Sequence, residues 1–339
     1  MDVGTNGVKM INYIIKRLLL SIFILFAVSI LLYILIRLIP QNFVEQKFAS
    51  QIAQGVIKQE DIDRMLKLYG LADSIPKGYM KWLSNVFHGD LGMSFNFGMP
   101  VQEIIAKDMW ISFGFSFVAT ILQFIIAIPL GIHSATHQYG ASDYAVTIFT
   151  MMGISLPTFF LASLLLSVFS KSLGWFPYQG LVSSKIFEDS FAGKVDQFFD
   201  MAWHLILPIV TLVILSIGGL MRHTRTNMLE VLNADYIRTA RAKGCSEKTV
   251  IYKHAFRNTM IPVVTMLAGI LPGLFSGAMI TEEVFAIPGI GRKAYKATTV
   301  GDIPFIMAYN MFLSILTIIG TLLSDLAYAL VDPRVKITK

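Results

Sequence analysis

Six long apolar stretches dominate this sequence, at about 14–38, 111–134, 144–170, 203–221, 260–281 and 305–331. A helix that crosses the hydrocarbon core of a bilayer needs about 20 mostly apolar residues, and each stretch is long enough. Only 15% of the residues are charged, whereas a soluble domain carries about a quarter, so the chain lacks the polar surface of a soluble globule. A single cysteine, Cys245, excludes a disulfide-stabilised scaffold. We therefore predict an all-α polytopic membrane protein with six transmembrane helices.

Basic residues are concentrated on one side of the six predicted spans. The loop 222–259 contains eight Lys and Arg residues and three Asp and Glu residues. On the other side, in 41–110, 171–202 and 282–304, acidic residues match or slightly exceed basic ones. Because basic loops stay in the cytoplasm, both termini are predicted to be cytosolic. Nucleic-acid binding by the basic loop is disfavoured, since it offers few aromatic residues for base stacking.

The segment 41–110, between the first two spans, is too long for a simple turn and is predicted to fold into helices outside the membrane. Apolar residues at helical spacing predict three short helices, the third running from Pro100 to Asp108 into the second span. In the second of these helices, Trp82 and Phe87 fit either the lipid headgroups or the small core of this insertion. The predicted parts of the chain are a cytosolic end with the first span (1–40), an extracytoplasmic helical insertion (41–110), a five-helix transmembrane core (111–331) and a cytosolic tail (332–339).

Motifs for catalysis and nucleotide binding are absent from the sequence. It contains no Gly-x4-Gly-Lys-Ser/Thr loop, no His-Glu-x-x-His, no cysteine cluster and no Gly-x-Ser-x-Gly. His133 and His137 are spaced to share a helix face as metal ligands, but an ordinary position at a helix end is favoured for them. Asp325, near the inner end of the last span, is expected to pair with a base such as Arg334 rather than to relay protons. We predict that the chain is not an enzyme, binds no metal and does not supply its own energy.

The cytoplasmic loop 222–259 carries a helix–glycine–helix pattern. Asn233 or Asp235 can cap a short helix that stops at Gly244, and Ser246 can cap a second helix after it. The first helix and its glycine turn would form a compact knob for a groove on a partner, made of Tyr236, Ile237, Ala240 and Gly244. The alternative is a basic loop that only fixes the orientation of the spans.

At this loop the sequence resembles a family of transporters. Arg238-Thr239-Ala240-x3-Gly244 is similar to the Glu-Ala-Ala-x3-Gly signature of binding-protein-dependent ABC importer permeases. Resemblance to the dipeptide/oligopeptide branch, which also includes nickel permeases, extends to HGDLGMSF (88–95), EEVFAIPGIGRKAY (282–295) and VDPRVK (331–336). Arg238 and Thr239 depart from the general signature, as does Arg257 where it has proline, and these departures are typical of the peptide branch.

The resemblance implies a type I ABC importer permease in a bacterial-type plasma membrane. This chain would form half of a pathway for peptides with a second homologous permease subunit. Two cytosolic ABC ATPase subunits would bind ATP and Mg²⁺, and an extracytoplasmic peptide-binding protein would deliver the peptide, so this chain would bind no cofactor itself. Its residues for coupling to the ATPases would be Asp235, Tyr236, Ile237, Ala240 and Gly244. Two alternatives stay open: a nickel or metal-chelate importer permease, and an ATP-independent homo-oligomeric channel or carrier.

The fifth predicted span carries Gly269, Gly273 and Gly277 on one helix face, beside Pro272. A face without side chains allows another helix to approach closely. Tight packing within the bundle is the favoured interpretation, and a face that lines the pathway or hinges a gate is the alternative.

The turn-rich segment 286–295 is predicted to dip towards the pathway as an outer loop. In the peptide branch this position resembles an outer gate, whose residues here would be Pro288, Gly289 and Gly291. Glu282 and Glu283 precede it and could contact a peptide amine, although a hydrated loop rim is the favoured explanation for them.

Overall fold

The computed structural model describes residues 3–38, 58, 60, 73–184, 187 and 189–331, which fold almost entirely into α-helices. In chain order the helices are α1 (Val3–Arg37), α2 (Ile75–Phe87), α3 (Val101–Thr136), α4 (Ala141–Ser155), α5 (Thr158–Leu165), α6 (Phe191–Leu232), α7 (Asp235–Ala242), α8 (Glu247–Thr249), α9 (Phe256–Thr265), α10 (Leu267–Ser276), α11 (Met279–Val284), α12 (Ile290–Thr299) and α13 (Ile303–Val331). Two π-helical stretches, Leu166–Ser172 and Val250–Ala255, follow α5 and α8. The all-α prediction is confirmed for this part of the chain.

Several helices are apolar and long enough to cross a membrane. Four qualify on their own: Ile15–Leu35 in α1, Val101–Thr136, Phe191–Leu232 and Ile303–Asp325 in α13. A further candidate is α4 together with Thr158–Ser172, which meet at an angle of 103°. The chain bends there because Pro157 disfavours helical backbone at Leu156, which is extended with φ −82° and ψ 132°.

The predicted fifth span, 260–281, is interrupted. α9 ends at Thr265 and α10 begins at Leu267, so each is ten residues long and too short to cross a bilayer alone. Within α10, Pro272 has no N–H to donate to the carbonyl four residues earlier, which weakens the helix at this level. Six spans therefore remain a prediction.

The second span is longer than predicted. The separate helix expected from Pro100 to Asp108 is wrong, because α3 runs without a break from Val101 to Thr136. The first helix expected in 41–110 and the tail 332–339 lie outside the described residues.

Small residues allow α4 and α6 to pack closely. A Cβ atom built on Gly153 would lie 2.5 Å from the carbonyl oxygen of Ile214, and one on Gly218 would lie 2.5 Å from that of Thr150. Gly131 of α3 meets α6 in the same way. Any side chain at these positions would push the helices apart, so small residues allow α6 to pack closely against α3 and α4.

An aromatic cluster joins α2 to α1. Tyr33, Tyr79 and Trp82 are buried, the ring centroids of Tyr33 and Tyr79 lie 5.7 Å apart, and Ser29 Oγ lies 2.8 Å from Tyr79 Oη. Phe87, in contrast, is 81% exposed. Trp82 therefore lies in the small core of this region, and Phe87 lies on the surface, where a position at the lipid headgroups stays a prediction.

The acid in the last helix has a partner on the first. Arg17 Nε of α1 lies 2.9 Å from Asp325 Oδ2 of α13. The base expected from sequence, Arg334, lies outside the part of the chain that the structure describes. The ion pair joins α1 to α13 and gives Asp325 a structural role.

Candidate functional site

The predicted coupling helix, α7, is separated from the end of α6 by two residues. Its N-cap is Ala234, which offers no side-chain hydrogen bond, so the expected caps Asn233 and Asp235 are both wrong. Asn233 Nδ2 instead donates to the carbonyl oxygen of Leu229 at 2.9 Å. The residue thus satisfies a terminal carbonyl of α6 rather than an N–H group of α7.

The glycine stop and the second cap are as predicted. Gly244 has φ 78°, a left-handed conformation that glycine adopts without strain, and it follows Lys243, the C-cap of the helix. Ser246 Oγ accepts a hydrogen bond from Thr249 N at 3.4 Å. The α-helix that it caps is only three residues long and passes into the π-helical stretch 250–255.

α7 turns its apolar side towards the rest of the chain. Ile237 is fully buried and Ala240 is nearly so, in a cluster with Met228 of α6 and Val250. The exposed side of α7 and its turn is formed by Asp235, Tyr236, Arg238, Thr239 and Gly244. Of the residues predicted to couple to a partner, Ile237 and Ala240 therefore anchor the helix, and Asp235, Tyr236 and Gly244 stay accessible.

An exposed ion pair closes the turn between α7 and α8. Arg241 Nη2 lies 2.6 Å from Glu247 Oε1, and Arg241 Nε lies 3.1 Å from Glu247 Oε2. This two-point hydrogen bond from the guanidinium holds the pKa of Glu247 below its ordinary value. The pair brings together two residues that flank Gly244.

A buried carboxylate supports the same end of the bundle. Asp143 of α4 accepts hydrogen bonds from Arg225 Nε of α6 at 3.2 Å and from Arg225 Nη2 at 2.9 Å. Ser134 Oγ of α3 and the backbone N–H of Tyr139 donate to the same carboxylate. Asp143 thus connects α4 to α3 and α6, and the last two helices contribute Ile132 and Met228 to the cluster that holds α7. The sequence carried no local signal for it, because Arg225 is 82 positions away.

In the motif EEVFAIPGIGRKAY (282–295), Glu282 of α11 is fully buried. Its Oε1 accepts hydrogen bonds from Ser112 Oγ at 2.8 Å and from Ala278 N at 3.0 Å, and its Oε2 accepts one from Arg292 N at 2.8 Å. Ser112 Oγ in turn accepts a hydrogen bond from Ile290 N at 2.9 Å. We call this arrangement of Ser112, Glu282 and the first turn of α12 the glutamate clasp. It ties α12 to α3 and α11.

Three of the predicted gate residues surround this carboxylate. Gly277 has φ 76°, and a Cβ atom there would collide with Glu282 Oε1. A Cβ atom on Gly289 would lie 2.5 Å from Glu282 Oε2, and one on Gly291 would lie 3.0 Å from Oε1. These glycines are therefore needed for the close approach of the backbone to a buried carboxylate. Pro288, which directly precedes Gly289, is exposed.

The two glutamates have different environments. The hydrated rim expected for Glu282 is wrong, because backbone and hydroxyl groups surround it, and in this conformation it lies out of reach of a peptide amine. Glu283 is partly exposed, and its Oε2 accepts a hydrogen bond from Arg292 Nε at 2.9 Å. Arg292 Nη1 also donates to the carbonyl oxygen of Ala286 at 2.9 Å, which holds the turn before α12.

A third buried carboxylate, Asp302, binds the segment 88–95 and its continuation to the start of α13. It accepts hydrogen bonds from Ser94 Oγ at 2.5 Å, Asn96 N at 3.0 Å and Phe305 N at 3.3 Å. The last of these is a helix N-cap bond, and an aspartate before an apolar run is a sequence signal that could have identified it. The motifs at 88–95 and 282–295 are thus each fixed by one buried acid.

A cavity of about 240 Å³ lies between α3, α6 and α10. Small and hydroxyl-bearing residues line most of it, including Ser116, Thr120, Ser216 and Gly273. Gln123 crosses it and donates from Nε2 to the carbonyl oxygen of Ser216 at 3.1 Å. The cavity therefore offers polar groups without a formal charge.

Of the two glycines in α10, Gly273 lines this cavity and Gly269 does not. No atom among the described residues lies within 4 Å of a Cβ built on Gly269 or Gly273. Tight packing, the favoured interpretation of this stripe, is therefore wrong for these two positions within the described chain. Gly277 is the one member in close contact, and its neighbour is the clasp. A role in the pathway stays a prediction for Gly269, Pro272 and Gly273.

The two histidines considered as metal ligands stack on each other. The ring centroids of His133 and His137 lie 4.3 Å apart. Across the described ranges, no group of three His, Cys, Asp or Glu side chains is arranged to hold a metal ion.

Comparison with known proteins relates this chain to one kind of transporter. Residues 127–337 match the family described as binding-protein-dependent transport system inner membrane component, and residues 10–112 match the N-terminal region described for such membrane components. The chain is 37% identical to the oligopeptide transport system permease protein AppB of Bacillus subtilis, over 96% of this chain and 100% of the relative. It is 33% identical to the dipeptide transport system permease protein DppB of Alkalihalophilus pseudofirmus, over 96% of this chain and 100% of the relative.

A putative peptide transport system permease protein of Brucella abortus is 35% identical, over 95% of this chain and 98% of the relative. Among solved structures, the inward-facing MetNI methionine ABC transporter has a chain that matches with a TM-score of 0.52. That match is 17% identical and covers 68% of this chain and 97% of the other. At this identity the likeness concerns the fold, and it agrees with the predicted type I importer permease fold.

Proposed function

The chain belongs to the binding-protein-dependent transport system inner membrane components, and from that premise we propose that it conducts peptides through the membrane in an ATP-driven importer. The observation that carries the proposal is full-length similarity to oligopeptide and dipeptide permeases. The chain is a multi-pass transport subunit of the cell membrane. Its substrate, its partners and its orientation in the membrane are what we propose.

The proposed complex contains a second homologous permease subunit, two cytosolic ATPases that bind ATP and Mg²⁺, and an extracytoplasmic peptide-binding protein. This division of labour is supported by the absence of a phosphate-binding loop from the sequence. The basic loop 222–259 supports an orientation with both termini in the cytoplasm. Residues 111–331 then form the transmembrane core, and 41–110 lie outside the membrane.

We assign energy coupling to the exposed side of α7. Ile237 fixes the helix to α6 and to the stretch after α8, so a force on α7 would be passed to the spans as movement of a packed unit. Tyr236 is 46% exposed and Asp235 is exposed beside it, which leaves them available to an ATPase. Burial of Ile237 explains how a short, polar helix can transmit movement instead of bending away.

The pathway would run along the cavity between α3, α6 and α10. Its hydroxyl and amide groups can exchange hydrogen bonds with a peptide backbone, whatever the side chains of that peptide are. A wall without formal charge suits cargo of varied charge, whereas a tightly held metal ion would need ligands that this wall lacks. At one end of the pathway, the glutamate clasp would fix the frame on which the outer gate moves.

The proposed assembly can be tested by purification of the tagged chain from its native membrane in mild detergent, followed by identification of the proteins that accompany it. We expect a second permease subunit and ATPases in stoichiometric amounts. Recovery of the chain alone, as a stable homo-oligomer, would contradict the importer and favour a channel or carrier.

The proposed pathway can be tested by cysteine labelling. Cys245 is the only cysteine, so Cys245→Ser provides a cysteine-free background for Gly273→Cys and for the control Ile125→Cys, a position 62% exposed on the outer surface of α3. A charged, membrane-impermeant maleimide should label Gly273→Cys in the complex, and substrate peptide should slow that labelling. The control should stay unlabelled in lipid. Equal labelling at the two positions would show that the pathway does not run along the cavity beside Gly273.

A further inference from the structure

A short non-helical segment joins the motif 282–295 to α6. Residues 179–183, which we call the strap, follow the π-helical stretch Leu166–Ser172 and precede α6. The strap shares no residue with the cavity assigned to the pathway. It is hydrogen-bonded at both of its ends, and these contacts connect the glutamate clasp to the helix that leads to α7.

One end of the strap is fixed to the end of α11. Gln179 Nε2 donates to the carbonyl oxygen of Val284 at 3.0 Å. The N–H of Gly180 donates to the carbonyl oxygen of Phe285 at 2.9 Å. The last carbonyl groups of a helix have no partner within the helix, so the strap supplies the hydrogen bonds that α11 lacks there. Because α11 carries Glu282, this end of the strap is attached to the clasp.

The other end of the strap is fixed to a carboxylate of α6. Asp200 Oδ2 accepts a hydrogen bond from the N–H of Ser183 at 2.6 Å, and Asp200 Oδ1 accepts one from Ser183 Oγ at 2.6 Å. We call this pair the latch. The side chain of Asp200 is only 16% exposed, so water competes weakly for the two hydrogen bonds. Hydrogen bonds to a carboxylate are also stronger than those between neutral groups.

The strap has little slack between its two anchors. Gly180 and Ser183 are three residues apart, so their Cα atoms lie at most about 11 Å from each other even in a fully extended chain. A ring contact reinforces the attachment, since the ring centroids of Phe176, just before the strap, and Trp203 of α6 lie 4.9 Å apart. The end of α11 and the region of α6 around Asp200 therefore cannot separate far without loss of these contacts.

Asp200 lies near one end of α6, and the coupling helix follows the other end. With 42 residues, α6 is about 63 Å long, roughly twice the thickness of the hydrocarbon core. Pro208 lies inside it and has no N–H to donate to the carbonyl oxygen of His204, so the helix is weakened there. We call residues 191–204 the outer arm. Pro208 separates this arm from the part of α6 that leads to α7.

We propose that Ser183 and Asp200 are positioning residues, which hold the outer arm of α6 to the glutamate clasp throughout the transport cycle. The inference rests on the proposed function, in which α7 passes movement to the spans. With the latch closed, the outer arm stays with the clasp, and the movement of α6 is taken up by bending at Pro208. Without the latch, the arm follows the rest of α6 and pulls the strap away from the end of α11.

Hydrogen exchange tests the latch without any transport. The full chain, purified with its partners in detergent, is compared with Asp200→Ala and with the control Asp196→Ala, which removes an exposed carboxylate one helical turn away. In Asp200→Ala we expect the amides of the strap and of residues 282–290 to exchange about tenfold faster, the factor that corresponds to loss of one hydrogen bond to a charged group. The control should exchange at the wild-type rate. Unchanged exchange in Asp200→Ala would overturn the inference.

Uptake of a labelled peptide, measured per ATP hydrolysed, tests the positioning role. In the Cys245→Ser background, Ser183→Cys combined with Asp200→Cys removes the latch, and a short, reducible bis-methanethiosulfonate reagent then bridges the two thiols. We expect uptake per ATP about tenfold below the wild type before bridging, recovery after bridging, and renewed loss after reduction. Recovery would show that the position of the strap matters rather than the carboxylate itself. The bridged complex also keeps the test valid if Asp200→Ala fails to assemble.

Two results of the uptake measurement would contradict the latch. Wild-type uptake in the unbridged double variant would show that the latch has no role in transport. Uptake that is blocked by the bridge and restored by reduction would show that the latch opens in each cycle.

Pro208→Ala tests the bend in α6. The N–H of alanine restores the missing helical hydrogen bond, so we expect uptake per ATP to fall severalfold while hydrogen exchange of the strap stays unchanged. Uptake equal to that of the wild type would overturn the role of Pro208.

Failure of the proposed function gives a different pattern. A wild-type complex without ATP-dependent uptake would contradict the importer, and the exchange rates of Asp200→Ala and Asp196→Ala would still decide whether the latch holds the strap to α6.

Discussion

The two ends of this molecule are stabilised in opposite ways. Around α7, the contacts that shape the turn join residues close in sequence, such as Arg241 and Glu247, and they are exposed. In the glutamate clasp, Ser112 and Glu282 are 170 positions apart and fully enclosed. Exposed ion pairs contribute little to stability, whereas a buried carboxylate that loses its partners costs several kcal/mol.

This difference suggests a division between a part that moves and a part that stays fixed. On the proposed function, α7 receives movement from an ATPase, so its outer side must be free to contact another protein. The clasp holds the first turn of α12 at one position against α3. Not every contact near α7 is exposed. Ile237 and Asp143 are buried, and they anchor α7 and the helices beneath it.

The largest effect is expected from Glu282→Leu. The change leaves the N–H groups of Ala278 and Arg292 without an acceptor inside the protein. We expect a loss of about 3–5 kcal/mol in the free energy of unfolding, measured by thermal or denaturant unfolding in detergent. The control Glu283→Leu removes a partly exposed ion pair with Arg292 and should cost less than about 1 kcal/mol. Equal losses in the two variants would mean that the clasp is no more rigid than the loop surface.

An intermediate effect is expected from Ile237→Ala. The side chain is fully buried against Met228 and Val250, so its truncation leaves a cavity and should cost about 2–4 kcal/mol. The neighbouring Tyr236→Ala, on the exposed side of the same helix, loses a hydrogen bond with Asn258 and should cost no more than about 1 kcal/mol. Hydrogen exchange of α7 would locate the loss, and a similar loss in both variants would contradict the assignment of an anchored and a free side.

The smallest effect is expected from Glu247→Gln. Arg241 lowers the pKa of Glu247 in the folded chain, so the pair contributes stability above the ordinary pKa of glutamate, about 4.3, and loses it as the pH falls through the lower folded value. The contribution should be at most about 0.5 kcal/mol, because both groups are exposed and screened by salt. Unfolding from pH 7 to pH 3 should show the wild type and the variant converging at acid pH. A difference that grows below pH 4 would have the wrong sign for this pair.

Local signals were sufficient to predict the stop after α7 and the start of α8 from sequence, but not the N-cap of α7. Gly244 and Ser246 mark a helix stop and a helix start through their own backbone and side-chain preferences, and both are observed. The burial of Ile237 could not be predicted, because its neighbours come from α6 and the stretch after α8. An apolar residue on a short helix is equally compatible with facing a partner.

The end that carries the glutamate clasp could be predicted only in outline. Its motif was visible as a turn-rich segment, but the reason for its glycines was not, because Gly277, Gly289 and Gly291 meet a carboxylate whose burial depends on Ser112 of a distant helix. The glycine stripe of α10 was misjudged for a related reason. A small residue allows another helix to approach closely, but it does not ensure that one is there. No described residue packs against Gly269 or Gly273.

The most direct test of the importer account is uptake of a labelled peptide into vesicles that contain the assembled complex. ATP should be supplied on the side of the ATPases and the binding protein on the other. The account predicts uptake with ATP and none with a non-hydrolysable analogue, together with loss of uptake in a Tyr236→Ala complex that still folds and inserts. Peptide uptake that is equal without ATP, or unchanged by Tyr236→Ala, would contradict coupling through α7.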